Sequence, residues 1–356
     1  MDERRSLPSA TKHVSVARVP AAWYPLAWSR ELADRPLART LYGTPLVVFR
    51  GEGGAPAALL DRCAHRNVPL SLGCTVRGGI ECAYHGWQFS PAGCVTHVPG
   101  LCVAPPDKRL VPSFATREKD GLVFVYGVPD VVPSSEPYAP SPLGAGYTTV
   151  TRAVDAQGSL HATLENALDV PHTAFVHRGL FRGATPQKHR IKAVVTRSAD
   201  RVVTEYVGEP RPSGLIGRIL SPSGGVVVHH DRFIMPSIAE VEYRIGTENH
   251  ILVTAYGLPV DDFETRLFAV VRFKLRLPGW LVRPLLEPIA LRIFAQDARI
   301  LAAETAAIAR FDGEHFMSTE LDLMGPQMWT LLRRAERGTE VAADEPPFVR
   351  EIELEV

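Results

Sequence analysis

Asp61-Arg62-Cys63-Ala64-His65-Arg66-Asn67 and Glu81-Cys82-Ala83-Tyr84-His85-Gly86-Trp87 decide how the first part of this 356-residue chain is read. Each stretch offers one thiol and one imidazole on a short loop. The pattern is Cys-x-His, then sixteen residues, then Cys-x-x-His. Gly78-Gly79 precedes the second stretch and Gly86 closes it, so backbone can approach a bound group closely. Apparent strands border both loops: Leu46–Phe49, Ala57–Leu60, Trp87–Phe89 and Leu122–Tyr126. Gly51-Glu52-Gly53-Gly54 lies between two of them as a hairpin turn. As a phosphate loop it is weak, because no helix follows.

Two metal groups use two Cys and two His. Zinc takes them as a closed tetrahedral site. A Rieske [2Fe–2S] cluster takes the cysteines on one iron and the histidines on the other. Zinc fingers usually pair Cys with Cys and His with His along the chain, whereas each loop here carries one of each. The spacing, and Cys82-Ala83-Tyr84-His85-Gly86-Trp87 above all, resembles the Rieske domain of Rieske non-haem iron oxygenases. The resemblance implies that Cys63 and Cys82 hold one iron, and His65 and His85 the other. Respiratory-type Rieske proteins carry two more cysteines, where this chain has Val68 and Tyr84. Cys74, Cys94 and Cys102 fit no part of the pattern and read as small buried residues.

The second constellation is Glu165-Asn166-Ala167-Leu168-Asp169-Val170-Pro171-His172-Thr173-Ala174-Phe175-Val176-His177. At roughly 100° per residue, His172 and His177 lie about 140° apart on a regular helix and share no face. Convergence on one metal therefore requires a break between them, and Pro171 interrupts the ladder just before. Alone, Asp169 also reads as an N-cap and Asn166 as a polar helix-end residue. Together, Asn-x-x-Asp-x-x-His-x4-His after a Rieske motif resembles the mononuclear-iron motif of the same family. Non-haem Fe(II) that activates O₂ uses two His and one carboxylate and leaves positions open. The resemblance implies His172, His177 and Asp297 as iron ligands. Glu304 is the rival carboxylate. It shares a helix face with Asp297 but lies about 10 Å further along the axis, so only one of the two reaches the metal. The resemblance further implies that Asp169 carries electrons between His172 and, across the interface of a homotrimer, His85 of a neighbouring copy. Asn166 is implied to border the iron.

Composition bounds the rest. Apolar residues are 46% and charged residues 22%, as in a globular chain that buries a core. Lys+Arg and Asp+Glu both total 39, which excludes a broadly basic nucleic-acid binder. No apolar run is long enough for a membrane span, and the N-terminus lacks a signal-peptide pattern, so the expected location is cytoplasmic. Pro129, Pro133, Pro137, Pro140 and Pro142 mark a linker. The expected domains are 1–135 (cluster-binding core about 40–127) and 146–356, joined by 136–145. The second part reads as a strand at Thr148–Val154, a helix at Ser159–Leu168, strands at Ala193–Thr196, Val202–Val207, Val226–Val228, Glu240–Arg244, Ile251–Ala255 and Leu267–Phe273, and a long helix Leu285–Ala309 interrupted by Pro288. The fold class is α+β: an all-β Rieske domain, then an antiparallel sheet covered by helices, of the helix-grip or START-like type that the family implies.

The expected function is the terminal oxygenase of a multicomponent system. No GxGxxG element stands between a strand and a helix, so electrons are expected from a separate reductase or ferredoxin. His177 and Asp297 are 120 residues apart in a short chain, which resembles the α-only O-demethylases and monooxygenases. Monooxygenation of a small aromatic or other hydrophobic substrate is thus favoured over cis-dihydroxylation, desaturation or ring closure. The substrate pocket is expected between the sheet and the long helix. His229 and His230 are candidates for a substrate carboxylate as much as for solvent-facing residues. In the competing class, a Rieske electron carrier without catalytic iron, His172, His177 and Asp297 have no ligand role.

Overall fold

The computed structural model describes residues 13–103, 105, 108–178, 190–209, 227–246, 249–275, 278–339 and 346–355. The chain forms two compact units. One takes Pro20–Pro140 with Leu258–Asp261; the other takes Ser141–Gly257 and Asp262–Val356 together with residues 13–19.

The first unit is all β. Its strands are β1 (Trp23–Trp28), β2 (Leu37–Leu41), β3 (Thr44–Arg50), β4 (Pro56–Leu60), β5 (Cys74–Val76), β6 (Gly79–Glu81), β7 (Gln88–Phe89), β8 (Val95–His97), β9 (Ser113–Lys119) and β10 (Leu122–Pro129). They make a six-stranded sheet in the order β1-β10-β9-β4-β3-β2 and a four-stranded sheet β5-β6-β7-β8. The Gly-rich turn does join β3 to β4, and Gly53 adopts φ 66°, open to a residue without a Cβ. Cys63 and Cys82 sit inside the core itself, packed with Val47, Phe49, Leu70, Ile80 and Phe89. Burying each of those phenylalanines contributes about 1.5–3 kcal/mol. The same core that stabilises the unit therefore fixes both cysteine loops.

The second unit contains β11 (Thr148–Ala156), α1 (Leu160–Leu168), β12 (Arg190–Arg197), β13 (Arg201–Val207), β14 (Val227–Ile234), β15 (Ile238–Ile245), β16 (Asn249–Asp261), β17 (Glu264–Lys274), α2 (Gly279–Arg310), α3 (Gly325–Glu336) and β18 (Phe348–Glu355). An eight-stranded sheet runs β11-β17-β16-β15-β14-β13-β12-β18. The expected α+β class and every expected strand of this unit are present, although Val226 lies outside the described residues. Alternation explains the strands: Arg201–Val207 buries Val202, Thr204 and Tyr206 and exposes Arg201, Glu205 and Val207.

One sheet face carries the helices. Thr204 Oγ1 contacts Met324, just before α3, at 2.7 Å. A side chain on Gly257 would strike Leu160 of α1 at 2.5 Å. Val227 and Ile245 pack with Ile289 of α2. These residues share the inward face, which holds the rows Tyr206-His229-Tyr243-Ile251 and Thr204-Asp231-Val241-Val253.

One expectation needs correction. Pro288 does not interrupt the long helix, which begins at Gly279 and runs through both Pro284 and Pro288. Each proline frees the carbonyl four residues earlier. Trp280, Pro284 and Pro288 are all exposed, so water can take those carbonyls.

Gly79 is the tightest test of the small sheet. A Cβ there would lie 2.2 Å from the Phe89 carbonyl oxygen, which is backbone and cannot swing away. Gly79→Ala is expected to destabilise the first unit by about 1–3 kcal/mol, read as a lower melting temperature with early loss of cluster colour.

Candidate metal centres

The two cysteine loops are built alike. Cys63 N–H donates to Val68 O at 2.8 Å, and Cys82 N–H to Trp87 O at 2.8 Å. Asn67 N–H returns to Cys63 O and Gly86 N–H to Cys82 O, at 3.0 and 3.1 Å. Each loop is thus a six-residue turn whose fifth residue is left-handed, Asn67 at φ 60° and Gly86 at φ 68°. Glycine and asparagine are the residues that enter that region most readily. At Gly86 a Cβ would also meet Pro99 Cγ at 2.9 Å.

The turns bring the cysteines inward and the histidines outward. Cys63 and Cys82 are buried and free of disulfides, with His85 exposed. The His65 and His85 ring centroids are 4.6 Å apart, and His65 stacks on Trp87 at 4.8 Å and 8°. Burial pushes the Cys63 thiol up, with Cys82 beside it, while the His65 and Arg66 amides that donate to its sulfur pull it down. Amides aimed at the sulfur are what a thiolate bound to iron needs. His65 Nδ1 is buried without a hydrogen-bond partner, as a metal-ligating nitrogen would be. The residues fit a two-Cys, two-His cluster.

The second site starts where α1 ends. Ser159 caps its first turn by accepting the Ala162 N–H at 3.1 Å. Asp169 leaves the helix in extended conformation, and a 3₁₀ turn, Pro171–Ala174, follows. This is the break that lets His172 and His177 converge, with their Nε2 atoms 3.2 Å apart. Asp297, from the middle of α2, places Oδ1 3.0 Å from His177 Nε2 and 3.7 Å from His172 Nε2. Among the described residues these three are the group whose ligand atoms all lie within 4.8 Å of one another. At metal–ligand bonds of about 2.1 Å, ligands at right angles stand about 3 Å apart, so the triangle has the size of a metal's coordination face.

The hydrogen bonds around the site point both Nε2 atoms inward. His172 Nδ1–H donates to the Asp169 carbonyl at 2.5 Å, and His177 Nδ1–H to Gln296 Oε1 at 3.0 Å. With Nδ1 protonated, each ring turns the Nε2 lone pair to the centre. Asp297 Oδ1 is buried there with no hydrogen-bond partner. Two lone pairs and a carboxylate oxygen converging in this way call for a cation. Without one the site attracts a proton instead: burial pulls the His172 pKa down, but Asp169 and Asp297 override it and lift it to about 9. Asp297 is held low by the two imidazoles, against the upward push of burial.

The Asp169 carboxylate accepts the His172 backbone N–H at 3.0 Å and lies 3.2 Å from its Nδ1. It therefore caps the turn and touches the His172 ring at once. Asn166 is half-buried on the last turn of α1, and its carbonyl accepts the Asp169 N–H. Glu304 is not brought to the cluster; burial and then Glu165 raise its pKa, with Glu314 adding to the rise. Cys74 and Cys102 are exposed and Cys94 half-buried, so the expectation that they are buried is corrected. Cys74 opens β5, the edge strand of the four-stranded sheet, so no further strand of that sheet covers it. Gln296 went unnoticed in the sequence, where its position beside Asp297 on an apolar helix was the available signal. His229 is buried, not solvent-facing.

Comparison with known proteins follows the same division. A Rieske [2Fe-2S] domain matches residues 22–114, and a vanillate O-demethylase oxygenase C-terminal domain matches 157–337. The chain belongs to the Rieske non-haem iron oxygenase family. The cofactors of that family are a [2Fe–2S] cluster and a mononuclear iron, with O₂ as co-substrate. The oxygenase component of dicamba O-demethylase from Stenotrophomonas maltophilia is 36% identical over 161 residues, 44% of this chain and 47% of that protein. Chlorophyllide a oxygenase of Chlamydomonas reinhardtii is 33% identical over 48% of this chain and 26% of its own length. The match thus spans about half or less of these two relatives. The oxygenase component of chloroacetanilide N-alkylformylase from Rhizorhabdus wittichii (strain DC-6 / KACC 16600) is 27% identical over 92% of this chain and 97% of that one. A crystal structure of dicamba monooxygenase bound to dicamba shares the fold, with TM-score 0.75 and 23% identity over 90% of this chain and 98% of that one. Among the described residues, no helix is long and apolar enough to cross a membrane.

Two outcomes are expected at the second site. Gln296→Leu removes the acceptor that fixes the His177 ring and should weaken Fe(II) binding about 10–100-fold in equilibrium dialysis. Binding must also displace the His172 proton, which is held below pH about 9. Apparent Fe(II) affinity should therefore rise about tenfold per pH unit from neutrality toward that value, in a competition titration with a chelator of known pH dependence.

Proposed function

We propose that this chain is the terminal oxygenase of a multicomponent system. It carries out O₂-dependent monooxygenation, a hydroxylation or an oxidative demethylation, of a small aromatic or other hydrophobic substrate. Electrons come from a separate reductase or ferredoxin. The observation that carries the reading is the His172, His177 and Asp297 triangle in a chain with both family domains. Relatives named dicamba O-demethylase and chloroacetanilide N-alkylformylase, each an oxygenase component, support the reaction class.

In this reading residues 1–135 form the cluster domain, 136–145 the linker and 146–356 the catalytic domain. Cys63 and Cys82 hold one cluster iron, and His65 and His85 the other. His172, His177 and Asp297 hold the mononuclear iron, whose bound form supplies the O₂-activating chemistry. The protein's own part is positioning. Asp169 and Gln296 keep both imidazoles in the ligating tautomer, and α2 holds Asp297 at a fixed height. Asn166 borders the site from the last turn of α1. The exposed edge of His85 is the outlet for electrons, passed to Asp169 of a neighbouring copy in a homotrimer. The five cysteines, all free, suit a reducing cytoplasm.

The test supplies anaerobically purified protein with a surrogate reductase, O₂ and a panel of aryl methyl ethers. Substrate-dependent O₂ uptake with one aldehyde released per phenol formed is expected. Electron flow without product on any ether or alkylated arene would contradict the proposal. Asp169→Asn should keep both metals yet slow reduction of the mononuclear site by orders of magnitude. Normal turnover in that variant would remove the bridging role.

A further inference from the structure

A second cluster of titratable groups lies on the inward face of the catalytic sheet. The His229 ring is stacked between Tyr206 (centroids 4.5 Å apart, planes at 20°) and Tyr243 (3.9 Å, 19°). Register produces this sandwich, because Tyr206 pairs with His229 and His229 with Tyr243 across β13, β14 and β15. Both ring nitrogens meet carboxylates. Nδ1 is 2.6 Å from Glu209 Oε2, and Nε2 is 2.9 Å from Asp231 Oδ1. An ionised carboxylate only accepts, so each nitrogen must carry a proton and the ring is an imidazolium. The carboxylates lift its pKa to about 9 against the pull of burial. Burial raises the Asp231 pKa, while His229 and the Tyr206 hydroxyl, which donates to the carboxylate, hold the ionised form in place. Two carboxylates and one imidazolium leave the cluster with a net negative charge, buried where charge is poorly screened.

Beside the cluster the inward face is incompletely covered. Val241 and Tyr243 of β15 and Ile251 and Val253 of β16 face the helices yet are only half-buried. In the next row Phe233, Ala239 and Ala255 are fully buried. Half-buried apolar side chains on the face that the helices cover offer a ligand an apolar floor, and the His229 cluster stands beside it as a charged wall. The wall lies on the sheet face against which α1 packs, at β14 and β15, and α1 leads directly into the iron-ligand turn.

Resting on the oxygenase reading above, we propose that the substrate is an uncharged or cationic apolar molecule rather than a carboxylate, and that Glu209, His229 and Asp231 set this preference. The imidazolium is the obvious partner for an anion, but both of its N–H groups are spent on the protein's own carboxylates. Among the described residues, these sheet rows present no Lys or Arg. A carboxylate resting on these rows would meet net negative charge and, among their described residues, no free cationic donor. A neutral ring meets only the apolar floor, and an ammonium group is attracted to the wall.

The test is equilibrium binding to the metal-loaded full chain, held anaerobic and without reductant so that nothing turns over. The probes share one skeleton: para-methoxybenzyl alcohol, para-methoxybenzylamine and para-methoxybenzoate, titrated by calorimetry. The alcohol and the amine should each bind at least about tenfold more tightly than the benzoate. Glu209→Gln, with Asp231→Asn as the second variant should the first fold poorly, should narrow the amine-to-benzoate ratio about tenfold. Equal affinities, preference for the benzoate, or no binding of any probe would overturn the proposal. Iron content is read on the same sample. Protein with both metal sites filled that prefers the benzoate sinks this inference alone, whereas protein that cannot hold mononuclear iron sinks the oxygenase reading whatever it binds.

Discussion

Two imidazole lone pairs and a carboxylate oxygen face one another across 3.0–3.7 Å, and a cation relieves the repulsion. Much of the second unit serves that encounter. The 3₁₀ turn Pro171–Ala174 replaces regular helix around His172, so that two histidines five residues apart can turn to one point. The 32-residue α2 then brings Asp297 to the same point from 120 residues away in the chain, with Gln296 beside it to hold His177. The sheet gives both elements a rigid floor. A site placed on packed helices and turns keeps its ligand geometry better than one on free loops.

The cluster loops solve a different problem. There the apolar core buries the cysteine ends while the histidine ends reach solvent. Identical six-residue turns, each with a left-handed fifth residue, impose this polarity. The buried sulfurs sit among apolar side chains and backbone amides, and the imidazole edge is left open to the outside. Such an arrangement suits a group that must exchange electrons without exchanging ligands.

The candidate ligand residues were legible because they sit at motif spacings. The long strands were legible because they alternate. What stayed hidden has physical reasons. β1, Trp23–Trp28, is buried along its whole length, so no alternation appears, and Pro25 stands at its bulge. β5 to β8 have two or three residues each, too few for a period. β18 is a run of charged and apolar residues that gains meaning only by pairing with β12. Pro288 argued for a break in α2 that solvent exposure removes. Gln296 and the His229 stack act through tertiary contacts, which no local pattern displays.

The central claim is that this chain holds two distinct iron centres. The measurement that tests it most directly is metal analysis of anaerobically purified protein, combined with EPR of its reduced state. The account predicts about three irons per chain, a Rieske signal, and loss of only the mononuclear iron in Asp297→Ala. Zinc in place of iron in protein guarded from oxygen would contradict it. So would two irons per chain with no further Fe(II) taken up on reconstitution.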